Sequence, residues 1–175
     1  NNTPLSDTQA AQYTAAGFEI GVHIDTGCAN YDAASLQTFY ATQIGVFQTR
    51  FAGAGPLRTQ RHHCVVWSDW SSGADVQFNH GMRLDTTYYF WPPSWVVDAP
   101  GLFTGSAMPM RFARLDGSLV DVYMAATQMT DESGQSYPLH PDALFDRAVG
   151  AEGYFGVFCA NMHFDQASHP SSDAI

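Results

Sequence analysis

Apolar and polar residues alternate between two periods along this chain, and the switches mark its elements. Ser6-Asp7-Thr8-Gln9 has the capping-box pattern ahead of "AAQYTAA", with Gly17 at the C-cap position, which predicts a short helix over about 6–17. "FEIGVHI" (18–24) predicts a buried strand, and "DTGCANYD" a turn. Leu36, Phe39, Tyr40, Ile44, Phe47 and Phe51 recur near helical spacing through "AASLQTFYATQIGVFQTRF", and "AGAGP" ends that helix. "RHHCVVW" (61–67) predicts a second strand, with a loop over "SDWSSGAD" and a short helix running to "NHG". "MRLDTTYYFW" is a third strand candidate, stopped by Pro92-Pro93. Two strands around Asp116-Gly117 in "PMRFARLDGSLVDVYMAAT" predict a hairpin. A helix starting near Pro141 and a strand over "GYFGVFCANMHFD", ending in His163, complete the pattern, with "QASHPSSDAI" as a loose tail.

Strands and helices therefore alternate, and several strands end in a titratable residue. That order predicts a parallel α/β architecture, whose sites collect beyond the carboxyl ends of the strands. At 175 residues with 45% hydrophobic content, the chain suits one domain with a full core. The 17 acidic residues outweigh 7 basic ones, all arginine, for a net charge of −10. A nucleic-acid partner, which needs a basic stripe, is disfavoured. No stretch approaches the roughly 20 apolar residues of a membrane helix, and "NNTPLSD" lacks the character of a signal peptide, so the expectation is a trimmed soluble chain with no membrane partner. An acidic surface with exposed strand edges is compatible with a homodimer.

Three histidines, His23, His63 and His163, fall at strand ends, where a convergent set would suit metal-assisted hydrolysis. Each alone is more often a structural histidine, and three at corresponding strand ends shift the balance modestly toward function. His62 and His63 alternate in direction, so one of them should face a site. Asp25 lies on the same face as His23 and is either a ligand or general base, or the cap of the "DTG" turn. Arg61 would orient a carboxylate or be an ordinary surface charge; Asp85 is a candidate for that carboxylate. The 4 Trp residues, Trp67, Trp70, Trp91 and Trp95, fall in one short span, where they would pack a core or stack on sugar faces. Of the 3 Cys residues, Cys28 and Cys64 each end a His-bearing segment and would bridge if those segments are neighbours; Cys159 is the third. Ser133 lacks a G-x-S-x-G context, and no P-loop, G-x-G-x-x-G or H-E-x-x-H motif is present.

"AAGFEIGVHIDTGC" resembles the second motif of the polysaccharide deacetylases, carbohydrate esterases that remove acetyl groups from chitin, xylan or peptidoglycan. Their phrase runs Gly-His-Glu-Ile-Gly-x-His, then x-x-Thr-His, and the two final histidines bind the metal. Gly17, Glu19, Ile20, Gly21, His23 and Thr26 match; Phe18 and Gly27 depart from it. Arg61 in "RHHC" resembles the third motif without its prolines, Asp85 in "RLDTTYYFWPPSW" loosely the fourth, and His163 in "NMHFD" the last. The family's first motif, a strand ending in two Asp, would precede residue 5 and has no counterpart here.

The resemblance implies an incomplete or distorted (β/α) barrel, an extracellular setting, a divalent metal such as zinc, and acetylated polysaccharide or oligosaccharide as substrate. It casts His23 as a metal ligand; Gly27 stands where the second metal histidine belongs, a place that His63 or Asp25 would fill, so that the candidate ligands are His23, His63 and Asp25, with Asp25 alternatively the base. Arg61 and Asp85 would orient, and His163 would donate a proton. A non-catalytic saccharide-binding module or a structural fragment of a larger secreted protein is the alternative.

Overall fold

The computed structural model describes residues 5–88, 108–130, 145–146, 148–151, 153 and 156–162. The chain divides into two compact units, Asn1–Thr87 with Arg111–Tyr123, and Tyr88–Met110 with Met124–Ile175.

In the first unit, helix α1 (Asp7–Ala15) begins as its sequence dictates. Ser6 Oγ accepts the Gln9 N–H, while Gln9 Oε1 accepts the Ser6 N–H. Gly17, at φ 93°, turns the chain after it in the left-handed region that glycine enters freely. Strand β1 is Val22–Ile24, shorter than the apolar run around it. Helix α2 (Ala33–Arg50) is capped by Asp32, whose carboxylate accepts the Ser35 N–H at 2.7 Å. It buries Leu36, Tyr40 and Ile44, one side chain per turn.

Strand β2 (Thr59–His62) is followed by a tight 3-10 turn over His63–Val65, helix α3 (Ser72–Asn79) and the two-residue β3, Leu84–Asp85. The expected strand over 61–67 thus begins earlier and stops at His62. β4 (Met110–Ala113) and β5 (Leu119–Met124) form the hairpin expected around Asp116-Gly117, with Gly117 at φ 85°. Its loop closes through Gly117 N–H to Arg114 O and Arg114 N–H to Ser118 O.

The sheet order is β1-β2-β3-β5-β4. β1 pairs with β2 in parallel, His23 opposite Arg61 and Ile24 opposite His62, and β2 pairs in parallel with β3, Gln60 opposite Asp85. The architecture is therefore α/β with a largely parallel, unclosed sheet, as the alternating pattern predicts. Paired residues share a face, so Val22, Ile24, Gln60, His62 and Asp85 lie on one side. That side is buried: Val22 and Ile24 pack with Leu36, Tyr40 and Ile44 of α2 and Val76 of α3. Burying each such aliphatic side chain contributes about 2 kcal/mol. His23 and Arg61 lie on the other side.

In the second unit, β6 (Thr127–Thr130) pairs in parallel with β7 (Cys159–Asn161), with a register irregularity between Thr127 and Met129. Phe145, Asp146, Ala148 and Val149 are helical, in agreement with the helix expected there. Among the described residues no helix is long and apolar enough to cross a membrane.

Candidate functional site

The parallel strands β1 and β2 end side by side, and their register brings two of the expected residues together. His23 Nε2 lies 3.3 Å from His63 Nδ1, with the rings edge to face at 5.3 Å. His23 Nδ1 lies 2.9 Å from the Arg61 carbonyl oxygen. A carbonyl only accepts, so Nδ1 carries the hydrogen and Nε2 turns its lone pair toward His63. Desolvation pulls the His23 pKa below its usual 6.5, favouring the neutral ring that a metal ligand requires.

The donor set can be tested against zinc. Two Zn–N bonds of about 2.0–2.1 Å at a tetrahedral angle set their nitrogens roughly 3.3 Å apart. The His23–His63 separation fits that spacing, and the Arg61 carbonyl supplies the outer hydrogen bond that fixes a ligating imidazole. The same separation also serves a direct bond with His63 Nδ1–H donating to His23 Nε2. Asp25 is spent otherwise: its Oδ1 accepts the Gly27 N–H at 2.7 Å, the turn-capping role open to it from sequence. Gln43 brackets the Asp25 backbone, accepting its N–H and donating to its carbonyl. Among the described residues, the group whose ligand atoms lie mutually within 4.8 Å is Cys28, His63 and Cys64, without Asp25. Cys28 and Cys64 are joined in a disulfide, with Cα atoms 5.3 Å apart, so the bridge raised by their positions in sequence is present. The described residues thus bring two imidazoles to a spacing that zinc could share, with no third protein ligand among the described residues beside them, since the disulfide sulfurs are not thiolate ligands.

Asp85 lies on the opposite side of the sheet from Arg61 and His23, so it is not placed to be the carboxylate that Arg61 orients. It is fully buried. Gln60 Nε2, Gln77 Nε2, Thr87 N and Thr87 Oγ1 all donate to its carboxylate. Burial pushes its pKa up, opposed by neighbouring His62 and by the hydrogen bonds from Thr87 and Gln77. His62, also buried, donates from Nδ1 to the Val66 carbonyl at 3.1 Å and accepts from the Tyr40 hydroxyl at 2.8 Å. This polar layer of Tyr40, Gln60, His62, Gln77, Asp85 and Thr87 was not anticipated as a unit. Its signal is the polar residue at the inward positions of β2 and β3, Gln60, His62 and Asp85, where a covered strand would ordinarily be apolar.

Two residues of the "GFEIGVHI" segment hold β1 against β2. The Glu19 carboxylate accepts the Arg58 N–H, the Thr59 N–H and the Thr59 hydroxyl. A Cβ on Gly21 would meet the Thr59 carbonyl oxygen at 3.3 Å, so glycine permits the close approach.

The described tryptophans differ. Trp67 is half-buried, stacked on Phe112 at 4.9 Å and packed with Ala74, Val120 and Val122, a core role. Trp70 is 62% exposed, with its indole N–H donating to the Ala113 carbonyl at 2.7 Å. Trp91, Trp95 and His163 lie outside the described residues. Comparison with protein-family models, curated proteins and solved structures finds no match to this chain.

Proposed function

We propose that this protein is a metal-dependent hydrolase of the polysaccharide-deacetylase kind, with its site at the ends of β1 and β2. The observation that carries the reading is the His23–His63 pair, spaced for a shared zinc ion and oriented by the Arg61 carbonyl. A bound zinc would polarise an acetyl carbonyl and acidify a water molecule. His23 and His63 would hold the ion, and the resemblance gives His163 the proton donated to the departing alcohol or amine. Asp25 keeps the turn that carries His23 toward Cys28.

The succession β1-α2-β2-α3-β3, advancing across the sheet in parallel pairs, supports reading it as an arc of a (β/α) barrel. The Cys28–Cys64 bridge supports an extracellular setting. Among the described residues β1 has no strand on its outer side, an edge that could receive another strand, and a homodimer belongs to the same proposal.

The test is acetate release from acetylated chito- and xylo-oligosaccharides by zinc-loaded protein. Release that falls at least about 100-fold in His23→Ala, with the fold intact, supports the reading. Equal release by both proteins, or none from either, overturns it. A saccharide-binding module without catalysis is favoured by one observation, the exposed and anchored Trp70 ring. It predicts oligosaccharide binding that is indifferent to zinc and lost in Trp70→Ala.

A further inference from the structure

The turns after β1 and β2 hold a second set of metal-ligand chemistry. Cys28, His63 and Cys64 are all exposed, and one ligand atom from each lies within 4.8 Å of the others. Cys28 and Cys64 are also the described non-glycine residues at positive φ, 56° and 62°. A residue with a Cβ enters that region at a cost of about 1–3 kcal/mol, so the bridged turns store backbone strain. An exposed bridge between strained turns is open to thiol–disulfide exchange.

We propose that reduction of the Cys28–Cys64 bridge converts it into a zinc site formed by two thiolates and the His63 imidazole. The disulfide would tie the two turns under oxidising conditions, and the metal under reducing ones. The conversion needs a dithiol or phosphine reductant. With a dithiol, two electrons break the S–S bond, two protons pass to the sulfurs, and the reductant closes as its own disulfide. Zinc then displaces both thiol protons and forms two Zn–S bonds and one Zn–N bond. Zn–S bonds of about 2.3 Å and Zn–N bonds of about 2.0–2.1 Å place tetrahedral ligands roughly 3.5–3.8 Å apart. Ligand atoms already within 4.8 Å reach that spacing by small side-chain rotations. The fourth position falls to water or to His23, whose Nε2 is 3.3 Å from His63 Nδ1.

This site goes beyond the proposed hydrolysis, shares His63 with it and does not rest on it. The chemistry separates the two: thiolates leave a spectroscopic trace that two imidazoles do not. The test uses the full chain carrying Cys159→Ser, stripped of metal, with one sample oxidised and the other reduced by a phosphine under argon. Cobalt(II) is the probe. The expected result is an intense near-ultraviolet thiolate-to-cobalt band at one ion per chain in the reduced sample alone, bleached by zinc. His63→Ala should weaken the cobalt affinity at least about tenfold. Zinc should also raise the melting temperature of the reduced chain. The proposal is overturned by absence of the band, by a band unchanged in His63→Ala, or by a melting temperature that zinc leaves alone or lowers. The last would mean that unfolded thiols are the ligands.

Discussion

Tyr40 Oη meets His62 Nε2 at 2.8 Å beneath helix α2, where neither residue is accessible to solvent. The bond joins the middle of α2 to the last residue of β2. Because the Val66 carbonyl fixes the hydrogen on His62 Nδ1, Nε2 has the phenol as its partner.

Tyr40→Phe keeps the ring and removes that partner, leaving a buried acceptor. The expected loss is about 1–3 kcal/mol of unfolding free energy. Urea denaturation of the variant beside the wild type measures it, and an unchanged midpoint would show that the imidazole finds water or another donor.

Alkaline stability should fall in a defined window. Burial raises the Tyr31 pKa from 10.0 to about 12, and burial raises Tyr40 as well. Below pH 10 both phenols are neutral in either state. As pH rises further, the unfolded chain releases these protons first, so folding loses free energy until the native phenols titrate. The denaturation midpoint should therefore be lower at pH 11 than at pH 9. Phenolate absorbance gained in step with unfolding would identify the groups; a steady midpoint would contradict the sign.

Asp85 and His23 should separate a structural residue from a site residue. Asp85→Ala strands donors that converge on a buried carboxylate and should destabilise the fold by about 3–5 kcal/mol. His23→Ala removes an exposed side chain and should change stability by less than about 1 kcal/mol while abolishing metal retention. Thermal melts and elemental analysis after dialysis read the two effects separately, and a severe loss of stability in His23→Ala would assign it to the scaffold.

The same division holds for the aromatic residues. Trp67→Ala opens a cavity against Phe112 and Gly73 and should lose about 3–5 kcal/mol. Trp70→Ala should leave the melting temperature within a few degrees and weaken oligosaccharide binding, as measured by calorimetry. Binding that survives in Trp70→Ala would remove this ring from any saccharide surface.

What could be read from the residues depended on whether the cause was local. The Ser6–Gln9 capping box and the Asp116-Gly117 turn depend on a few neighbouring residues, and both appear where expected. The periodicity of α2 was equally plain. β2 was misplaced because its covered positions, Gln60 and His62, are polar and satisfied by distant partners, while the apolar run after it belongs to a turn bent by Cys64. β6 is not legible in the sequence: the apolar pattern of the hairpin runs out at Thr127, and Ala125 and Ala126 carry no turn signal to announce a new strand. At the site one residue of the His62–His63 pair, His63, does meet His23 while His62 is buried, but His63 lies in the turn after β2, where the turn and not strand alternation sets its direction. The roles of Asp25 and Asp85 needed the third dimension, since capping a turn and satisfying a buried layer call for the same carboxylate that catalysis does.

Although β4 is made before β5, it is β5 that lies beside β3. A nascent chain that has emerged only as far as Thr87 can align β1, β2 and β3, yet the outer edge of β3 stays bare until Leu119–Met124 arrives. During that interval the incomplete sheet is a template for another growing chain. Ribosome spacing and chaperone access therefore bear on the yield of this protein, and a truncation that ends before the hairpin is expected to collect in the insoluble fraction.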